Sequence, residues 1–465
     1  MKPSRRELLG ALGAGAALAG CGPGEWDAAP GRTADPNTDW AAPGTEDLTL
    51  FPNGAMGGDP TDSSVMLWTK YQGTGSLYLH YALFTDGAWV DAEPVPVTVA
   101  EAGIVHHDLT DLPADCPVAF AFVDDADAGS QVSVTRTAPA AGSMGVMRVL
   151  VTSCSKYKGA GTFPVMPLAL ARGPVDVIMW AGDTVYTYDR TINEYRQTWN
   201  RSFSTPEFRE FFSQGGHIFT WDDHEVTNNF EGSTVAPDLF ANGTQAFFEH
   251  TPRRRSADHP DRIWRSNRFG DTLEIFVLDS RGERDYAAGE YLSPEQLAWL
   301  EEGLKSSPCR WKCILNSVPI ANMPPLFDAA EELIRDRWEG YPRQRQQLVE
   351  LAATIPGVMF LSGDHHMPAV ARVEPEGVGE NLWDIMCGAT GSDGNPIGAI
   401  LLSQPDTYGH QFPWSEAPHT ATLLEFDPNG FMKVVFMGED DLDYFTGVFD
   451  DQGRLLEHTI VPVPR

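Results

Sequence analysis

Four apolar, strand-like runs each end on a residue able to hold a metal ion. Val177-Ile178-Met179-Trp180-Ala181 leads into Gly182-Asp183, and Ile218-Phe219-Thr220-Trp221 leads into Asp222-Asp223-His224-Glu225. Val358-Met359-Phe360-Leu361 leads into Ser362-Gly363-Asp364-His365-His366, and Met147-Arg148-Val149-Leu150-Val151-Thr152 into Ser153-Cys154. A buried strand often closes on a polar turn, so one such run carries little weight. Four of them, ending on Cys, Asp, Asp/His and Asp/His, point to a metal-dependent hydrolase. α/β enzymes assemble one site from distant sequence at the carboxyl ends of their strands.

The chain is long enough for two domains: 465 residues, 42% hydrophobic and 11% aromatic. Residues 46–142 carry short alternating runs such as Ser64–Thr69, Leu77–Leu83, Val95–Val99, Val118–Val123 and Gln131–Thr135. With turn residues between them and no convincing helix, they predict a small Ig-like β-sandwich. From 145 to 465 apolar runs alternate with helical stretches at Thr191–Asn200, Ser293–Leu304 and Arg343–Ala353. Ser293, Pro294 and Gln296 form a good helix start. The tail adds strands Ala421–Phe426 and Met432–Met437. The order predicts a layered α/β domain of αββα type after the sandwich.

The first 20 residues read as an address. Ser4-Arg5-Arg6-Glu7-Leu8-Leu9 resembles a twin-arginine export signal, and the apolar run from Leu8 to Gly20 has 13 residues. A bilayer span needs roughly 20. Leu18-Ala19-Gly20-Cys21 resembles a lipobox, which makes Cys21 the lipidation site; an ordinary cleaved signal with an incidental cysteine is the alternative. Residues 21–45, rich in Pro, Gly, Ala, Asp and Thr, read as a flexible spacer. The expected location is periplasmic or cell-surface, with the membrane reached only through the lipid. Cys116, Cys309, Cys313 and Cys387 are either bridges formed after export or buried thiols, and no dense disulfide framework is present.

The net charge of −32 becomes about −34 without the leader. Such a field repels polyanions, so nucleic acid is not an expected partner. A small anionic substrate must be drawn by local cations, and bound metals would supply them.

The ligand types fall into two sets. Thiolate, imidazole and phenolate from Cys154, His366 and Tyr186 suit iron or zinc. Carboxylates and amides from Asp222, Asp223, Asp364, Asn228 and Asn229 suit calcium, magnesium or manganese. Asp183, with two carboxylate oxygens, is placed to bridge two ions. Two ions about 3.5–4 Å apart can clamp both oxygens of an in-line phosphoryl transfer and turn water into hydroxide near neutral pH.

At this point a resemblance becomes specific. Phe51-Pro52-Asn53-Gly54 through Gly58-Asp59-Pro60, Val65–Thr69, Ser153-Cys154, Gly182-Asp183-Thr184-Val185-Tyr186, Trp221–Glu225 with Asn228-Asn229, Leu278-Asp279-Ser280-Arg281 with Arg284, and Gly363–His366 occur in this order. Together they resemble the PhoD-type alkaline phosphatases, a branch of the calcineurin-like metallophosphoesterases. The resemblance implies Fe(III) held by Cys154, Asp183, Tyr186 and His366. It also implies Ca(II) held by Asp183, Asp364 and one of Asn228 and Asn229, with zinc or manganese as alternatives at the softer position. Asp223 and His224 stand where relatives place an Asn-His pair, so His224 is expected to steady the transition state or protonate the leaving group. Thr184 and Thr187 depart from the bulkier tyrosine and the acid common in relatives.

Arg281 is a candidate for a bidentate grip on phosphate, against a salt bridge to Asp279 or Glu283. Arg284, Lys156 and Lys158 are weaker candidates for the same grip and read first as solvated surface charges; Asp189 reads as a turn residue, with a second calcium ligand as the alternative. The basic run Arg253-Arg254-Arg255 is either a phosphate attractor or a solvated loop. The expected function is hydrolysis of phosphomonoesters, with phosphodiesters as a further class, by metal-activated hydroxide. Alternatives are a phosphodiesterase or phospholipase D-like enzyme on the same scaffold, or a calcium-stabilised surface binding protein.

Overall fold

The computed structural model of the protein describes residues 40–463 other than 160, 325–330 and 417. The export signal, Cys21 and the spacer up to residue 39 lie outside the described residues. No described helix is long and apolar enough to cross a membrane.

Two β-sheets stack at the centre. The first has ten strands in the order Leu455–Ile460, Asp443–Asp450, Phe431–Gly438, Thr420–Phe426, Met147–Thr152, Val177–Ala181, Gly216–Thr220, Ala55–Gly58, Val65–Lys70, Ile104–Leu109. The second has seven: Arg265–Phe269, Leu273–Val277, Trp311–Leu315, Val358–Ser362, Trp383–Met386, Ala369–Arg372 and Trp414–Ser415. Strand alternation decides which residues face which layer. Val149, Val151, Val177, Met179 and Ile218 of the first sheet pack on Ile275, Val277, Cys313, Leu315 and Leu361 of the second. The intervening residues Leu150, Ile178, Trp180 and Phe219 point outward, onto helices that include Ile192–Phe203, Pro206–Phe212 and Pro237–His250. Phe276, Ile314 and Phe360 likewise meet helices Pro294–Ser306 and Pro342–Ala352. The result is helix, sheet, sheet, helix.

Local chemistry sets the helix starts. Thr191 and Glu194 form a reciprocal capping box on Ile192–Phe203, and Ser293 Oγ accepts from Gln296 N. Helix Pro237–His250 was not legible in the sequence. It has no side-chain cap and carries Gly243, and its buried face, including Phe247 and Phe248, holds it in place.

The N-terminal β region is built against the α/β body. A second seven-stranded sheet, containing Leu77–Thr85 and Pro117–Asp124, forms one layer. The facing layer is made by Ala55–Gly58, Val65–Lys70 and Ile104–Leu109, which extend the ten-stranded sheet through the parallel pairs Gly57↔Gly216 and Gly58↔His217. Val65 and Leu67 fill the sandwich core, while Trp68 on the same strand turns to the helical layer and donates to Glu249 O at 2.8 Å. Cys116, Cys154, Cys309, Cys313 and Cys387 are buried free thiols.

Candidate metal centre

All four ligand-bearing turns leave the carboxyl ends of parallel strands. Met147–Thr152, Val177–Ala181 and Gly216–Thr220 run parallel in one sheet, and Val358–Ser362 delivers its turn from the other. Glycines let the turns close on one another. A Cβ on Gly363 would lie 2.0 Å from Ser153 Oγ, and one on Gly182 would lie 2.6 Å from Asp222 Cβ. Cys154, Asp183, Asp364 and His366 adopt positive φ angles between 52° and 57°. Such conformations are uncommon outside glycine, and they cluster where a site over-determines the backbone.

Cys154, Asp183, Asp222, Asp223, His224, Asp364 and His366 come together. Donor atoms of Cys154, Asp183 and His366 lie within 4.8 Å of one another, as do those of Asp183, Asp223 and His224, and those of Asp222, Asp223 and Asp364. Asp183 and Asp223 each belong to two of these groups. Tyr186 Oη donates to Asp183 Oδ2 at 2.8 Å, lies 3.0 Å from His366 Nε2, and accepts from Ser392 Oγ at 2.7 Å. His366 Nδ1 is 3.0 Å from Asp393 O, which orients the ring with Nε2 inward. Asn228 and Asn229 are exposed on the turn after Asp223, and Asn229 N donates to Asp223 Oδ2 at 2.5 Å.

The electrostatics suit cations. Burial, reinforced by Asp223, Asp222 and Glu225, pushes the Asp183 carboxyl well above its usual range, and burial with Asp222 does the same to Asp364. The Cys154 thiol is raised by burial and by Asp183. Burial lowers His366 to about 4, so its ring is neutral and can donate a lone pair. Asp223 Oδ1 and His224 Nδ1 are buried without a hydrogen-bond partner. A surplus of buried carboxylates, a thiol and unsatisfied acceptors is a donor set that fits metal ions.

Arg281 is not available to a substrate phosphate. Its guanidinium is fully buried and committed to carboxylates: Nε donates to Asp222 Oδ1 at 2.6 Å, Nη2 to Asp222 Oδ2 at 3.2 Å, and Nη1 to Asp336. The guanidinium is neither a free phosphate grip nor paired with the Asp279 or Glu283 carboxylate; Asp279 Oδ1 accepts from the Arg281 backbone N at 3.1 Å instead. Although burial works against the Asp222 carboxylate, Arg281 and Ser317 bring its pKa below the usual value. Arg284 is also buried, bound to Asp336 and to Tyr291 Oη at 2.7 Å, not a surface charge. The basic run is committed as well. Arg253 packs on Phe247 and Phe248, Arg254 pairs with Asp59 and Asp108, and Arg255 lies 3.6 Å from Asp261.

Glu225, Asp336 and Ser392 join the site without a sequence motif that assigns them a role. Glu225 is fully buried and accepts from Asp183 N at 3.2 Å, Thr184 N at 2.5 Å and Asp222 N at 2.9 Å, tying two ligand turns together. Its place after Asp222-Asp223-His224 was the available signal. Asp336 and Ser392 carried none, because their roles depend on contacts far along the chain.

Residues 149–436, more than half the chain, match the PhoD-like phosphatase family. The chain is 25% identical over 384 residues to alkaline phosphatase D of Bacillus subtilis (strain 168), covering 68% of this chain and 64% of that protein. It thus spans less than two thirds of that relative's length. The fold superposes on a solved structure of PhoD with a TM-score of 0.75 at 20% identity, covering 89% of this chain and 93% of the other. Purple acid phosphatase PPD1 from yellow lupin (Lupinus luteus) seeds gives 0.61 at 13% identity, covering 88% and 74%. With its ordered ligand turns and stacked sheets, the chain belongs to the PhoD-like phosphatase family.

Proposed function

We propose that the protein is an exported, lipid-anchored phosphoesterase that hydrolyses phosphomonoesters and also accepts phosphodiesters. The observation that carries this reading is the convergence of Cys154, Asp183, Tyr186 and His366 beside Asp222, Asp223 and Asp364. Cys154, Asp183, Tyr186 and His366 would hold Fe(III). Asp183, Asp364, Asp222 and an asparagine, Asn228 or Asn229, would hold Ca(II). Bound there, the two ions would polarise the phosphoryl oxygens and generate hydroxide from water near neutral pH.

The chain's own groups do the rest. His224, with its ring 4.0 Å from that of Tyr186, stands over the centre, where it can pass a proton to the leaving oxygen. Asp223 takes an N–H from the Asn229 backbone and keeps one oxygen free toward the site. Arg281 holds Asp222 ionised and oriented, a positioning role. The leader at residues 1–20 and Cys21 support export and lipid anchoring.

The test is hydrolysis of a phosphomonoester and a phosphodiester model substrate by metal-replete protein and by Cys154→Ala, Asp183→Ala and His366→Ala. Activity should fall by orders of magnitude in each variant. Full activity in all three removes the mechanism.

A further inference from the structure

Tyr188 is the most exposed large apolar or aromatic side chain among the described residues, at 69%, yet it sits at the rim of the metal centre. Its ring lies 5.8 Å from His224, edge-on at 67°. The backbone that carries it is fixed on both sides. Thr187 donates to His224 O through both N, at 2.9 Å, and Oγ1, at 2.8 Å. On the other side, Thr198 Oγ1 donates to Asp189 Oδ2 at 2.7 Å. The ring stands on a pinned segment with most of its area open to solvent, within reach of a group bound at the centre.

A cation completes the rim. Lys156 Nζ lies 5.4 Å from the Tyr186 ring centroid and 6.0 Å from that of Tyr188. Lys158, two residues on, is paired with Asp393 at 2.7 Å, and Arg281 is spent on Asp222 and Asp336. Lys156 therefore offers positive charge beside the site in a chain whose net charge is −32.

We propose that Tyr188, with Lys156 beside it, forms a leaving-group subsite that selects phosphoesters whose leaving group carries a flat aromatic ring. The inference rests on the phosphoesterase reading above. A leaving oxygen within reach of His224 places the group attached to it against the open Tyr188 face. An aromatic ring stacks there, whereas a short alkyl group leaves the face uncovered. Lys156 meets the phosphoryl charge and serves esters of both kinds.

The experiment compares benzyl phosphate with ethyl phosphate, both esters of primary alcohols, in metal-replete wild-type, Tyr188→Ala and Tyr188→Phe enzyme, with metal content confirmed equal. Tyr188→Ala should lower kcat/KM for benzyl phosphate about fivefold to tenfold, mainly through KM. Ethyl phosphate should be unchanged, and Tyr188→Phe should retain the wild-type preference. Equal loss for both esters, or no change for either, overturns the subsite and leaves the phosphoesterase reading standing. No turnover of either ester by the wild-type enzyme overturns that reading and the subsite with it.

Discussion

Asp222 and Arg281 face each other at full burial, with Nε and Nη2 of the guanidinium 2.6 and 3.2 Å from the two carboxylate oxygens. Asp336 takes the other edge of Arg281, and Asp364 lies 3.7 Å from Nη2. One cation thus stands behind several acids of the metal centre. It keeps Asp222 ionised in a place where burial alone would favour the protonated form.

Replacing Arg281 by Met should therefore strand Asp222 as a buried charge without its cation and leave Asp336 with Arg284 alone. The expected loss of unfolding free energy is about 3–5 kcal/mol, measured by denaturant unfolding. Arg281→Lys should recover only part of it, because an ammonium cannot span both carboxylates as the planar fork does. Wild-type stability in Arg281→Met would show that the pair carries no structural weight.

Glu225 acts through the backbone rather than through any ligand atom. Glu225→Gln replaces one acceptor oxygen by an amide that faces N–H groups, which loosens the turns of Asp183 and Asp222. Metal affinity should drop about 10- to 100-fold, read by competition with a chelator. An unchanged affinity removes the positioning role.

Lys156→Gln should raise KM for phosphoesters of either leaving group and flatten the dependence of KM on ionic strength, since a rim charge acts mainly through long-range attraction. Steady-state kinetics at low and high salt would check this. A salt dependence identical to that of the wild type counts against it.

His217 links pH to stability. Trp180 Nε1 donates to His217 Nδ1 at 3.0 Å, so the ring must be neutral there, and burial lowers its pKa to about 3. The unfolded chain, with a pKa near 6.5, binds more protons between these values. The stability is therefore fully present above about 6.5 and is lost as pH falls toward 3. At pH 5 the loss is about 2 kcal/mol. Thermal unfolding of His217→Gln should show a correspondingly shallower acid dependence, and equal slopes would contradict the assignment.

Much of this architecture was legible because each ligand follows an apolar run. The β run fixes the strand, and the polar turn at its carboxyl end fixes where Cys154, Asp183, Asp222 and Asp364 emerge. What the sequence does not carry is pairing between distant segments. Strand Ala55–Gly58 reads as part of a separate sandwich until Gly57 is seen beside Gly216. Arg281 reads as an available cation because residue type says nothing about Asp336, which lies 55 residues away. Residue spacing leaves thiol pairing equally open, and Cys116, Cys309, Cys313 and Cys387 stand apart as buried free thiols.

Metal analysis with an absorption spectrum, on protein purified without chelator, reads the Cys154/Tyr186 site itself. About one iron and some calcium per chain are expected, with a visible charge-transfer band that disappears in Tyr186→Phe and is altered in Cys154→Ser. A colourless, iron-free protein containing only calcium would contradict this and favour a structural site.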